Sequence, residues 1–91
     1  MIQFSIEVEN KLGLHARAAA KLVRTASRFF SNIYLSRHDA NQRIDSKSIL
    51  GILMLAASQG TRLNFFIEGG DEEEAGEAIR KLFKSKFGEN Q

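Results

Sequence analysis

Every extended stretch of this chain has one apolar face and one polar face. Ile2, Phe4, Ile6 and Val8 alternate with Gln3, Ser5, Glu7 and Glu9, Ile33 and Leu35 repeat the pattern near Asn32 to Ser36, and Leu63, Phe65 and Ile67 repeat it again. Successive side chains of a strand point to opposite sides of a sheet, so each of these segments is dry on one side only. The pattern suits an antiparallel sheet covered by helices on one face and wetted on the other.

The covering layer is read from the segments between them. From about Ala16 to Arg28 the period lengthens, with Ala19, Leu22, Val23 and Ala26 on one helical face and Arg17, Lys21, Arg24 and Arg28 on the other. A polar turn, Arg37 to Gln42, leads to a short strand at Arg43 to Asp45 that completes a hairpin with Ile44 inward. Ser46 or Ser48 can cap a second helix running through about Ala57, with Ile52, Leu55 and Ala56 toward the core and Gly60 as its stop. Gly69-Gly70 breaks the last strand. The third helix begins among Asp71 to Glu74 and ends among Lys81, Lys84 and Lys86, with Ala75, Ala78, Ile79 and Leu82 inside. Acids at its start and bases at its end complement the helix dipole. The expected class is α+β, a four-stranded antiparallel sheet with three helices on one face, in the order β-α-β-β-α-β-α.

Ninety-one residues fit one domain, read as 1–91, and no linker or repeat divides it. With no cysteine, disulfides and thiolate metal sites are excluded, and no other metal-ligand spacing occurs, so neither metal nor cofactor is expected. The start of the chain lacks the basic and apolar blocks of a signal peptide, and no apolar run is long enough to span a bilayer, so a cytoplasmic protein without membrane contact is expected. The net charge of +2 is too small to point to nucleic acid. It hides an asymmetry, because residues 11 to 30 carry Lys11, Arg17, Lys21, Arg24 and Arg28 with no acid, whereas Asp71, Glu72, Glu73, Glu74 and Glu77 crowd residues 71 to 77.

Of the two histidines, His38 lies in the polar turn between Arg37 and Asp39 and reads as a solvated loop residue. His15 follows Gly13-Leu14, opens the first helix and stands two residues before Arg17. Amides at a helix start favour an anion, guanidinium matches phosphate oxygens, and neutral imidazole is a nucleophile. Those are the parts needed to accept a phosphoryl group. A histidine opening a helix near an arginine also arises by chance, so the residues alone leave an ordinary structural role open. The chain has no glycine loop for a nucleotide and no second histidine placed as a base, so phosphate on His15 would have to come from a partner.

Gly13-Leu14-His15-Ala16-Arg17-Ala18-Ala19 resembles the active-site motif of HPr, the histidine phosphocarrier family of bacterial phosphotransferase systems. Lys47-Ser48-Ile49-Leu50-Gly51-Ile52-Leu53 resembles that family's regulatory-serine segment, and Gln59-Gly60-Thr61 and Glu68-Gly69-Gly70-Asp71-Glu72 follow in order. The likeness covers about residues 2 to 86. It implies an open-faced β-sandwich and a phosphoryl carrier rather than a turnover enzyme. It further implies phosphorylation of His15 on Nδ1 by enzyme I charged from phosphoenolpyruvate, with Arg17 and the amides of Ala16 and Arg17 holding the group. IIA-type domains would be the acceptors, HPr kinase/phosphorylase would modify Ser48, and the chain would act as a monomer. The family usually has proline where Ala18 stands, which bears on how rigidly His15 is presented.

The second helix is apolar almost all round, more than one face against a sheet can bury. Ile49, Leu50 and Leu53 are left as an outward patch, the positions the resemblance marks as partner contacts, with Lys21 and Arg24 beside Arg17 as a basic rim suited to an acidic partner. Two rival functions follow: a regulatory or nitrogen-branch paralogue that does not feed sugar transport, and a small nucleic-acid-binding domain using the basic first helix. No aromatic platform interleaves those charges, which opposes the second.

Overall fold

The computed structural model describes residues 1–89. The alternating segments form strands β1 (Ile2–Glu7), β2 (Asn32–Arg37), β3 (Ile44–Asp45) and β4 (Arg62–Glu68), ordered β1-β4-β2-β3 in one sheet with every pairing antiparallel. Ile33, Leu35, Leu63, Phe65 and Ile67 are fully or almost fully buried on one face, as their period requires. The register sets Phe4 opposite Phe65, and the two rings stack at 5.4 Å. On the wet face Tyr34 pairs with Phe66, and the Arg43 guanidinium lies 3.8 Å over the Phe66 ring.

The helices are α1 (Ala16–Ser27), α2 (Ile49–Met54) and α3 (Glu72–Lys84), followed by a 3-10 turn at Lys86–Gly88. Helix α1 buries Ala18, Ala19, Leu22 and Ala26, leaving Arg17, Arg24 and Arg28 exposed. Its neighbours in the covering layer are α2 and α3. The inner face of α3 is Ala75, Gly76, Ile79 and Phe83; the expected Ala78 and Leu82 are only half-buried. Phe83 replaces them as the main anchor because it reaches Phe65 edge-on at 5.6 Å.

Helix α2 corrects the sequence reading most. It ends at Met54 rather than near Ala57, and the residue that stops it is Ala56, left-handed at φ 51° and exposed rather than in the core. Gly60 belongs instead to the turn that enters β4, where its amide bonds Val8 O at 2.8 Å. A left-handed alanine costs about 1–2 kcal/mol. The Arg37 guanidinium compensates, donating to Leu55 O at 3.1 Å and so satisfying the last carbonyls of α2 from the neighbouring strand. Ala57, beyond the bend, is buried in place of Ala56.

Asp71 joins the end of α1 to the start of α3. Its carboxylate accepts from Ser31 Oγ at 2.5 Å and from the amides of Phe30 and Ser31, both at 2.9 Å. The Ser31 hydroxyl, with those amides behind it, holds this carboxyl below its ordinary value. A carboxyl whose folded value is lower than its unfolded one stabilises the fold above the unfolded value and loses that contribution as pH falls through the folded one. The melting temperature should therefore drop as pH is taken below the ordinary carboxylate range, and Asp71→Asn should flatten that drop in a calorimetric pH series. Equal slopes for both proteins would show that the acid sensitivity lies elsewhere.

Candidate functional site

Three segments distant in sequence meet at the start of α1. The first is the loop into the helix. Gly13 is left-handed at φ 68°, and a Cβ there would stand 2.5 Å from Ala57 O, so only glycine permits this approach. The adjacent amide of Leu14 bonds Ala57 O at 2.8 Å, and Leu14 is buried. The loop is thereby fixed against the end of α2, and His15 is delivered at the N-cap of α1 with extended backbone.

The second is the open end of α1. Its first helical bond runs from the Ala19 amide to His15 O at 2.8 Å, which leaves the amides of Ala16, Arg17 and Ala18 without a helical acceptor. His15 itself makes no side-chain cap. Its ring is 27% exposed, and Ala16 and Arg17 are exposed beside it. An anion arriving here meets helix amides, a helix dipole and a guanidinium together.

The third segment is the C-terminal turn. Lys86, Phe87 and Gly88 are successively left-handed, at φ 54°, 57° and 75°. Two left-handed residues that are not glycine are unfavourable by about 1–2 kcal/mol each, and two interactions offset this. Phe87 is buried edge-on to Phe83 at 4.8 Å, and Lys21 Nζ donates to Phe87 O at 2.5 Å. The turn brings Glu89 onto His15, where its Oε2 meets His15 Nε2 while Oε1 accepts from Asn10 Nδ2 at 3.0 Å. Asn10 is fully buried and also donates from Nδ2 to Gly13 O at 2.7 Å. Burial pushes the Glu89 carboxyl up, but the bonds from His15 and Asn10 and the charges of His15 and Arg17 outweigh it, and the net direction is down.

The residues expected from sequence are distributed as follows. His15, Ala16 and Arg17 share the mouth of α1. Arg24 is exposed farther along the helix, but the Lys21 ammonium is committed to the C-terminal turn rather than held out as part of a rim. Ser48 is the N-cap of α2, its Oγ accepting from the Gly51 amide at 3.2 Å, whereas Ser46 is buried and donates to Ile33 O at 2.8 Å. Ile49, Leu50 and Leu53 are exposed together, Leu50 at 66%, and Met54 joins them at 74%. His38 is exposed in its turn. Asn10 and Glu89 belong to the site without any sequence signal. Glu89 lies 74 residues from His15, and no local pattern announces a pairing over that distance.

Ala18 is the third residue of α1 and fully buried, and its amide is among those with no helical acceptor. Proline at such a position loses no helical bond and restricts the unfolded chain. Ala18→Pro should raise stability by a few tenths to ~1 kcal/mol, read as a higher denaturant midpoint. A midpoint below that of the parent would mean that the packed surface around Ala18 has no room for the ring.

The comparisons with known proteins agree with this fold. The family described as the PTS HPr component phosphorylation site matches residues 2–85. The phosphocarrier protein HPr of Xylella fastidiosa is 48% identical over 90 residues, 99% of each chain. The crystal structure of HPr-C-His from Thermoanaerobacter tengcongensis superimposes with a TM-score of 0.94 at 47% identity over all of both chains. A crystal structure described as an HPr dimer from the same organism matches with a TM-score of 0.76 at 48% identity, over 98% of this chain and 100% of that one. With the strand order, the three helices and a histidine at the mouth of α1 all in place, the chain belongs to the HPr family of histidine phosphocarrier proteins of the bacterial phosphotransferase system.

Proposed function

We propose that the protein accepts a phosphoryl group on His15 from enzyme I charged by phosphoenolpyruvate and passes it to IIA-type proteins. The observation that carries this reading is a partly exposed imidazole at the N-cap of α1, followed by three helix-start amides without a helical acceptor and by the exposed Arg17 two residues on. The amides of Ala16 and Arg17 and the Arg17 fork would hold the phosphoryl oxygens, and no bound cofactor is needed. The working unit is proposed to be a monomer. The HPr dimer among its structural relatives makes light scattering of the free protein a needed companion measurement. Incubation with enzyme I and phosphoenolpyruvate, followed by intact mass before and after mild acid, tests the reading. One acid-labile phosphoryl group per chain is expected, and a chain that gains none overturns it.

The apolar group Ile49, Leu50, Leu53 and Met54, with Arg17 and Arg24 of α1 as the cationic component, is the surface proposed for both partners. Ser48 caps the helix that carries this group, so phosphorylation there by HPr kinase/phosphorylase is proposed as a docking switch. A phosphate at a helix N-terminus is tolerated or favoured, though the effect is small for a helix of six residues. The same charge beside Leu50 and Leu53 repels an acidic partner and resists desolvation. Ser48-phosphorylated protein should melt at an equal or higher temperature and bind enzyme I more weakly. Unchanged affinity in a titration would refute the docking switch.

A further inference from the structure

We propose that Glu89 is a positioning residue for His15: its carboxylate, anchored by Asn10, accepts the proton on Nε2 and so leaves the Nδ1 lone pair for phosphoryl attachment. The inference rests on the reading of His15 as the phosphoryl acceptor. An ionised carboxylate has only acceptors, so the bond between Glu89 Oε2 and His15 Nε2 requires the proton to sit on Nε2. In the neutral ring, the form that can attack phosphorus, the other nitrogen is then unprotonated and carries the free lone pair. Histidines whose second nitrogen bonds a carboxylate are fixed in both tautomer and ring orientation.

The pairing is built into the fold. Glu89 is only 9% exposed at its side chain, and its second oxygen is bonded by the buried amide of Asn10. Asn10 holds Gly13 O with the same nitrogen, so one side chain ties the carboxylate to the loop that positions the histidine. On the other side, the tail is turned by three left-handed residues and fastened by Phe87 and Lys21.

This arrangement suits the chemistry of transfer. The Nδ1 lone pair forms the N–P bond as the donor's bond to phosphorus breaks, and that electron pair leaves with the donor. The ring becomes cationic while its Nε2 proton stays in place, shared with Glu89, so no proton has to depart. The carboxylate opposes the positive charge that develops on the ring. It sits at the nitrogen remote from the one attacked. The return of the phosphoryl group to an acceptor is the reverse of the same step.

The test compares the ¹⁵N-labelled parent with Glu89→Ala and Glu89→Gln. In the parent, a downfield, exchange-protected Nε2 proton and an unprotonated-type Nδ1 resonance are expected for His15. Glu89→Gln keeps a carbonyl acceptor and should retain the proton signal, whereas Glu89→Ala should lose it. Acceptance of the phosphoryl group at saturating phosphorylated enzyme I should slow by about 10- to 100-fold in Glu89→Ala, with a smaller loss in Glu89→Gln and KM unchanged in both. A protected proton and a rate that survive Glu89→Ala overturn the proposal, as does an effect confined to KM. Faster transfer in that variant also overturns it, because the carboxylate would then be a plug. Failure of the parent to take any phosphoryl group would instead overturn the functional reading, and the proton signal would decide the positioning role alone.

Discussion

His15→Ala is expected to abolish phosphoryl acceptance completely, with intact mass showing no modified species after incubation with enzyme I and phosphoenolpyruvate. The loss should be total because no second group can take over. His38 is exposed in the β2–β3 turn with Arg37 and Asp39 as its neighbours in the chain, and it opens no helix. The substitution should leave the fold intact. His15 makes no cap bond, Leu14 carries the apolar anchoring of the loop, and the Ala19 amide bonds the backbone oxygen of residue 15, which alanine retains. The bond to Glu89 disappears, but the other oxygen of that carboxylate keeps Asn10. Undiminished labelling of His15→Ala would move the site elsewhere. Arg17→Ala should slow transfer while preserving modification, since the role proposed for Arg17 is to stabilise charge on the phosphoryl oxygens and not to attack.

What could be read from the sequence follows the range of the interactions involved. Strand positions were legible because a period of two is a local property, and Leu63, Phe65 and Ile67 turned inward as that period requires. The face of α1 was legible for the same reason. Helix α2 was read too long because the local helix propensity around Leu55 is overruled by a tertiary partner: Arg37, on another strand, takes the carbonyl of Leu55 where the helix stops. Nothing in Leu53-Met54-Leu55-Ala56-Ala57 foretells that. The places of His15 and Arg17 at the start of α1 and of Ser48 at the start of α2 were legible, whereas their proposed roles lean on the family resemblance. The Asn10 and Glu89 half of the site was not, because it is assembled by a buried amide and a left-handed turn at opposite ends of the chain. A positive φ at Lys86 and Phe87 is invisible in residue types that ordinarily avoid it.

That turn makes Phe87 the residue through which stability and function are joined. Phe87→Ala should cost about 3 kcal/mol, the lower end of the range for a buried Phe, since a turn near the chain end can partly close over the space. In a domain of this size that corresponds to roughly 12–24 °C in melting temperature. The reason lies in the balance at the turn. Burial of the Phe87 ring against Phe83 offsets two unfavourable left-handed residues, and alanine keeps the unfavourable backbone while losing most of the burial. The turn should then open, carrying the Lys21 bond and Glu89 away from α1. Transfer to His15 should consequently fall as far as it does in Glu89→Ala, although the Phe87 side chain supplies no polar group to His15 or to the incoming phosphoryl group. Glu89→Ala, by contrast, should slow transfer with a much smaller fall in melting temperature than Phe87→Ala, since it leaves the Phe87 ring buried. Measuring both variants below their transitions separates a tail that only stabilises the fold from one that also delivers a carboxylate: a Phe87→Ala protein that melts early yet transfers at the parent rate would show that the turn stabilises α3 and does nothing for His15.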